Sequence, residues 1–125
     1  MIVGMGEILG LRQVSYAVSD VEAAIRFFRD QVGLTFLFSA GPDLAFFDIG
    51  GVRLFVERSE KSAGKNSVLY LKVPNVEVAF AEKQGVLDFH DTPHVVAKMP
   101  DHELWMVFFR DPDGGLVAFL EERAV

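Results

Sequence analysis

The sequence contains no cysteine among its 125 residues. Without cysteine the chain forms no disulfide and offers no thiolate to zinc, to an iron–sulfur cluster or to a covalent reaction step. This absence fits a reducing compartment, and we expect a cytoplasmic protein. Long apolar runs are missing as well: no stretch approaches the roughly 18 residues of a membrane span, and the opening 1–11 lacks the basic start of a signal peptide. Thiol chemistry is excluded, and no membrane partner is expected.

Positive charge is also scarce. Lys and Arg number 12 against 18 Asp and Glu, which gives a formal net charge of −6, and no run of Lys or Arg exceeds two residues. Nucleic acids are bound through clustered cations, so no nucleic-acid partner is expected. The acidic balance favours a cationic or neutral small-molecule ligand. Half of the residues are hydrophobic, which is enough for one domain with a core of its own.

Two stretches of the sequence repeat one plan. The segment 18–24, VSDVEAA, recurs 55 residues later as 73–79, VPNVEVA, with four of seven positions identical. A second repeat pairs the Phe-Phe and Gly-Gly motifs near 46–57 with those near 108–121. The sequence therefore predicts a single domain over 1–125, built from half-modules at about 11–58 and 67–122 that are joined by the polar linker 59–66.

The first half opens with a strand and a helix. Gln13–Val18 alternates between two faces, which is typical of a strand with one face on a helix. Ser19 and Glu22 form a capping-box pattern for the helix that follows, and Gly33 marks its end. The apolar stripe of this helix consists of Val21, Ala24, Ile25, Phe28 and Val32.

The second half repeats this order. Asn75 caps its helix and Gly85 ends it, with an apolar stripe of Val76, Ala79 and Phe80. The segment 111–114, DPDG, predicts a tight turn because proline and glycine suit its dihedral angles. Further strands are predicted at 34–39, 44–48, 52–57, 87–90, 94–99, 103–109 and 116–121. The pattern is βαβββ, twice.

Three motifs in this frame resemble a known superfamily. They are QVSYAVSD at 13–20, FFRD followed by VGL at 27–34, and FFRDPDG at 108–114. The sequence resembles the vicinal oxygen chelate superfamily, which includes glyoxalase I, bleomycin-resistance proteins, methylmalonyl-CoA epimerase and extradiol dioxygenases. The resemblance implies an α+β fold in which two tandem βαβββ modules form a cupped mixed β-sheet. It implies less about function, because the superfamily contains isomerases, epimerases, dioxygenases, thiol transferases and binding proteins.

The resemblance also implies four metal-ligand positions, one on the first and one on the last strand of each module. These positions hold Gln13, Val68, either Leu54 or Phe55, and Ala118. Only the glutamine carries a donor atom. One neutral amide does not hold a divalent cation against water, so we expect no metal and no cofactor. A two-residue shift would bring Glu57 onto the ligand face; otherwise Glu57, like Glu121 and Glu122, is a solvated carboxylate at a strand end.

Strand alternation predicts which side chains line the cup. It places Tyr16 beneath the first helix with Phe28, and polar residues of the same strand on the opposite face. Trp105 with Phe46, Phe47, Phe108 and Phe109 offers an aromatic wall for a planar ligand, although half of these rings belong in the core. His90, His94 and His102 flank a hairpin at the cup rim. The predicted ligand-binding residues are Gln13, Ser15, Tyr70, Lys72, Trp105, His94 and His102.

Several functions fit these features. The first is metal-independent binding of a small organic ligand in the cup, similar to bleomycin-resistance proteins. The alternative is a lyase, isomerase or dioxygenase of glyoxalase type, resembling lactoylglutathione lyase, with a rearranged site made from Gln13, Glu57, His94 and His102. A third is an accessory protein whose open sheet edge pairs with another chain. Exposed edges and an aromatic-rich face predict a homodimer, and the cup closes within one chain or across two.

Overall fold

A computed structural model describes residues 4–125. The first three residues of the predicted domain, which begin the apolar segment 1–11, lie outside the described residues. The strands are β1 (Gln13–Val18), β2 (Thr35–Ser39), β3 (Leu44–Ile49), β4 (Val52–Arg58), β5 (Leu69–Lys72), β6 (Asp88–Phe89), β7 (His94–Lys98), β8 (His102–Arg110) and β9 (Leu116–Ala124). The helices are α1 (Val21–Ile25), which continues as a π-helical segment (Arg26–Val32), and α2 (Val76–Glu82). Within 4–125 no helix has the length and apolar character needed to cross a bilayer.

The strands form two mixed sheets, one for each module. The first sheet has the order β1-β4-β3-β2, and the second has the order β5-β9-β8, with β6 and β7 both pairing with β8. In each sheet the first strand runs parallel to the last one, and the other pairs are antiparallel. β6 and β7 pair with opposite ends of β8, and together they act as one interrupted edge strand. The predicted α+β class with two βαβββ modules is confirmed.

The two modules share one hydrophobic core. One face of each sheet, here called the helix face, packs against a helix, and the opposite face is here called the outer face. The Phe27 ring of the π-helical segment lies 6.1 Å from the Phe109 ring of the second sheet, so the first helix contacts both sheets. The fully buried side chains of this core include Tyr16, Phe28, Phe47, Leu54, Val56, Val107, Phe109 and Val117.

The first helix begins one residue later than the capping pattern predicts. Asp20 is the N-cap, and its Oδ1 accepts from the Ala23 amide at 3.1 Å. Ser19, the predicted cap, instead donates its hydroxyl and its amide to the Asp113 carboxylate. The helix ends at Gly33 as predicted, with a positive φ of 98° that glycine adopts without strain.

The π-helical segment explains why the predicted apolar stripe was incomplete. A period of 3.6 residues selects Phe28 and leaves Phe27 at the side, but a π-helical turn is wider and admits an extra residue. Both rings are buried, at 4% exposed or less, and their centroids lie 4.9 Å apart. Ile25 and Val32, also predicted for the stripe, are partly buried at the edge of the core.

A buried hydrogen bond joins the modules. Tyr16 lies under the first helix as predicted, with its ring edge-on to Phe28 at 5.3 Å. Its hydroxyl donates to Oδ2 of Asp111 at 2.5 Å. The other carboxylate oxygen of Asp111 accepts from the Asp113 and Gly115 amides at 2.9 and 2.8 Å, which holds the predicted DPDG turn. Burial, together with the hydrogen bond to Asp111, raises the pKa of the Tyr16 phenol.

Glu121 differs from its prediction as a solvated carboxylate. It is only 7% exposed and lies on the helix face of β9. Its carboxylate accepts from the Val76 amide at the start of α2 at 3.0 Å and from two nitrogens of Arg123 at 2.9 Å. The hydrogen bonds from Arg123 lower the pKa of Glu121. This carboxylate therefore ties the second helix to the last strand.

Candidate functional site

The outer face of the first sheet carries a row of three rings. Phe38, Phe46 and Phe55 stand on β2, β3 and β4, where the register places them side by side. The centroids of Phe38 and Phe46 are 4.7 Å apart with an interplanar angle of 28°, and those of Phe46 and Phe55 are 5.1 Å apart at 21°. Such stacked rings form a surface suited to a flat apolar molecule.

Two predicted residues lie beside this row on β1. The register pairs Ser15 with Phe55 and Gln13 with Arg53, and all four lie on the outer face. The Arg53 Nε donates to the Gln13 Oε1 at 2.9 Å, and its guanidinium carbon lies 5.7 Å from the Phe46 ring centroid. The face thus combines stacked rings with one oriented cation.

The outer face of the second sheet holds Tyr70, as alternation predicts, and it also holds His94, which was predicted at the cup rim. Both flank Phe108: the Tyr70 ring meets it edge-on at 6.3 Å, and the His94 ring is roughly parallel to it at 6.5 Å. The His94 Nδ1 lies 2.7 Å from the Thr92 carbonyl oxygen. This second aromatic cluster is the counterpart of the row on the first sheet.

A chain of polar side chains lies further along this outer face. The His102 Nδ1 is 2.6 Å from Asp101 Oδ1, and its Nε2 is 3.4 Å from Glu122 Oε2. The Lys72 Nζ lies 3.5 Å from the other oxygen of Glu122. The hydrogen bond with His102 lowers the pKa of Asp101. Glu122 therefore links Lys72 with His102, two of the predicted ligand-binding residues.

Trp105 lies on the wrong face for the predicted aromatic wall. It pairs with Glu121 and packs against the core from the helix face, where the Arg123 guanidinium covers its ring at 4.0 Å. The odd positions of β8 face the core, and Trp105 shares their parity with Phe109. Of the other predicted wall residues, Phe47 and Phe109 are fully buried, and Phe46 and Phe108 are on the outer faces.

Sequence reasoning missed Phe38, Arg53 and Phe55 as members of this surface. Phe55 and Arg53 lie two and four residues before Glu57 on β4, so strand alternation places all three on the same face and could have identified them. Phe38 has no such signal, because a register irregularity in β2 between Phe36 and Phe38 changes the face on which it lies.

The predicted residues fall into two groups rather than one. Gln13 and Ser15 belong to the first sheet, whereas Tyr70, Lys72, His94 and His102 belong to the second. Each ring contact of the outer faces joins residues of the same sheet. Phe38 and Tyr70 remain 49% and 53% exposed. Both outer faces are therefore open to solvent, and the four residues of a rearranged enzyme site are divided between them.

The metal positions implied by the resemblance do not fit a divalent cation. The register places Phe55, not the buried Leu54, on the outer face, and neither side chain carries a donor atom. Ala118 of β9 likewise offers none. Gln13 already binds Arg53, whose positive charge disfavours a nearby cation. Within 4–125 no three His, Asp or Glu side chains are grouped as metal ligands.

A separate cavity of about 500 Å³ lies away from both outer faces. Its walls are mostly apolar and come from the end of the π-helical segment, from α2 and from β9. The lining residues include Val32, Val73, Pro74, Val78, Lys83 and Phe119. It provides an alternative place for a small molecule against which the outer faces can be tested.

Solved structures with the same arrangement cover almost the whole chain. A lactoylglutathione lyase from Agrobacterium tumefaciens is 18% identical, with a TM-score of 0.73 over 92% of this chain and 95% of that one. A glyoxalase/bleomycin resistance protein/dioxygenase from Alicyclobacillus acidocaldarius is 16% identical, with a TM-score of 0.70 over 94% and 95%. A glyoxalase-related enzyme from Fulvimarina pelagi is 16% identical, with a TM-score of 0.71 over 91% and 88%. No protein-family model matches the sequence. The chain therefore has the vicinal oxygen chelate fold, as the sequence motifs predicted.

Proposed function

We propose that this protein binds a small organic molecule on the outer faces of its sheets without a metal ion. The observation that carries the proposal is the row of Phe38, Phe46 and Phe55, which stands partly exposed beside an arginine. Stacked rings on a sheet surface gain stability by covering their faces. Three of the four metal positions of the fold lack a donor atom here, and the fourth, Gln13, already binds Arg53, so binding depends on rings and hydrogen bonds.

The compared structures support this class of function. One carries the name glyoxalase/bleomycin resistance protein/dioxygenase, and bleomycin resistance is among the functions in that name. The same fold carries both enzymes and binding proteins, so the residues of the site must decide between them. In this chain the rings and Arg53 favour binding.

A second copy of the chain would complete the cup. Each protomer presents one open outer face per sheet, and a two-fold pair brings the first sheet of one copy against the second sheet of the other. Such a pair forms two equivalent cups and covers the exposed Phe38 and Tyr70. We therefore infer a homodimer in which the ligand lies between two aromatic surfaces. One is the row of Phe38, Phe46 and Phe55 in the first sheet of one protomer, and the other is the second aromatic cluster, around Phe108, in the other protomer.

Light scattering tests the pairing. The expected result at micromolar concentration is twice the mass of one 13.9 kDa chain. Phe38→Asp, which places a charge on the exposed end of the ring row, should shift the mass towards that of one chain, because an unpaired buried carboxylate is costly. Val78→Asp is the matched control, since Val78 is similarly exposed but lies on α2. A monomer in the unsubstituted protein would contradict the pairing.

A thermal-shift screen of flat organic compounds tests ligand binding. Compounds that bind only the folded state raise the melting temperature in proportion to RT ln(1 + [L]/Kd). We expect hits among planar molecules, with the same shift in EDTA and in added Ni²⁺, Zn²⁺ or Mn²⁺. A shift that requires one of these metals would instead support the enzyme alternative.

The enzyme alternative draws on one observation. Asp101 holds His102 by its Nδ1 at 2.6 Å, which is how carboxylates orient a histidine for proton transfer. Of its other proposed members, His94 lies on the same sheet as His102, whereas Gln13 and Glu57 are on the other sheet and would meet His102 only across two copies. A product that appears with unsubstituted protein and not with His102→Ala would support this alternative.

A further inference from the structure

The row of rings on the first outer face ends in a gap. The ring spacings of 4.7 and 5.1 Å match the distance between neighbouring strands, about 4.8 Å. β1 is the next strand in the row, and its residue beside Phe55 is Ser15. Ser15 is exposed, and its side chain is too small to cover a ring. Among residues 4–125, one face of the Phe55 ring is therefore left for a ring that does not belong to the sheet.

Arg53 lies next to this gap, and of its guanidinium nitrogens only Nε is engaged in a hydrogen bond among residues 4–125. It precedes Phe55 by two residues on β4 and shares its face. Gln13 and the Phe46 ring fix the position of its guanidinium. Within residues 4–125, its two Nη atoms form no hydrogen bond and no ion pair. A guanidinium held at Nε and free at both Nη atoms is arranged to bind a carboxylate through two parallel hydrogen bonds.

The charged residues on either side of the gap differ in sign. Glu57 lies on the far side of Phe55, two residues beyond it on β4. Asp48 stands opposite Arg53 but forms no ion pair with it, and its Oδ2 is 3.5 Å from the Gly51 amide. Glu57 repels an anionic group on its side of Phe55. On the other side Arg53, which forms no ion pair with Asp48, is the group that attracts one.

The second module shows that the gap is particular to the first sheet. The repeat of 55 residues places Tyr70 at the position equivalent to Ser15. In the second sheet that position thus carries a ring of its own, and its β9 neighbour is the small Ala118. The first sheet has the opposite arrangement, with the ring on the last strand and the small residue on the first.

We propose that this gap takes a flat aromatic carboxylate. Its ring stacks on Phe55 above Ser15, and its carboxylate binds the two Nη atoms of Arg53. The inference rests on the proposed function and names the ligand class for the same face. It differs from the cationic or neutral ligand that the net charge of −6 favours, because at close range one oriented guanidinium outweighs distant, screened charges.

Calorimetric titration with 2-naphthoate and 2-naphthol tests the inference, since the two probes share a ring system and differ in charge. We expect naphthoate to bind about tenfold more tightly, the ratio that one charge-assisted contact gives. Arg53→Gln should remove this preference, and Arg58→Gln, at the exposed end of the same strand, should keep it. Ser15→Phe should abolish binding of both probes by filling the gap, whereas Ser15→Ala should not.

The outcomes separate the two proposals. Equal affinity for both probes, lost in Ser15→Phe, would overturn the carboxylate inference and leave the proposed function standing. A naphthoate preference that persists in Arg53→Gln would overturn the role of Arg53. Absence of saturable binding by either probe would overturn the inference, and the thermal-shift screen then decides the proposed function by itself. Unchanged melting temperatures of the variants establish that they are folded.

Discussion

Tyr16→Ala should destabilise the protein by about 4 kcal/mol, the cost of deleting a fully buried ring. Tyr16 is 1% exposed, its ring contacts Phe28, and its hydroxyl binds Asp111 of the other module. The substitution leaves a cavity under the first helix and removes one partner of a buried carboxylate. Urea denaturation measures the loss.

Tyr70→Ala is the matched control for this substitution. Tyr70 occupies a strand position in the second module but is 53% exposed, so its loss should cost less than about 1 kcal/mol. The substitution should instead weaken the binding of the compound found in the thermal-shift screen. If both substitutions cost the same stability and Tyr70→Ala leaves binding intact, the assignment of the two faces is wrong.

Tyr16→Phe separates the ring from the hydroxyl. Because the pKa of Tyr16 is raised in the folded state, the phenol contributes stability that is fully present below its unfolded pKa, about 10. That contribution is lost as the pH rises further. The unsubstituted protein should therefore lose stability above this pH more steeply than Tyr16→Phe does. Equal slopes would mean that the phenol is not held neutral.

Asp111→Ala should cost about 3 kcal/mol, because three buried or partly buried donors lose their acceptor at once. The donors are the hydroxyl of Tyr16 and the amides of Asp113 and Gly115. Asp111→Asn keeps an oxygen for the two amides, so most of the loss should be recovered. Urea denaturation at neutral pH measures both variants.

Asp113→Ala is the control for Asp111, two residues away in the same turn. Asp113 also bridges the modules, but its contacts with Ser19 are exposed. Exposed hydrogen bonds contribute little net stability, so a loss below about 1.5 kcal/mol is expected. A loss as large as that of Asp111→Ala would show that the turn, and not the buried bond, holds the modules together.

The sequence predicted the fold well because its signals are local. Alternation in Gln13–Val18, the Asn75 cap and the DPDG turn each specify backbone geometry from neighbouring residues. The first helix shows the limit of such signals. Ser19 and Asp20 are both good caps, and the choice between them depends on Asp113, which lies more than 90 residues away.

The candidate site was predicted only in part, because register and oligomeric contacts are not local. Alternation placed Gln13, Ser15 and Tyr70 on the correct kind of face. Alternation could not show that Gln13 and Ser15 lie on one sheet and Tyr70 on the other. Trp105 was misplaced because alternation alone does not say which face of its strand meets the core. The pairing of Trp105 with the buried Glu121 across the ladder places it on the core side.

Amide shifts in ¹H–¹⁵N NMR spectra, recorded while the strongest compound from the screen is titrated, test the central claim most directly. Metal-free binding on the outer faces predicts saturable shifts at Ser15, Phe46 and Phe55 of the first sheet, and at Tyr70 and Phe108 of the second, unchanged by EDTA. Shifts confined to Val73, Val78 and Lys83, which line the separate cavity, would contradict it, as would outer-face shifts that vanish in EDTA.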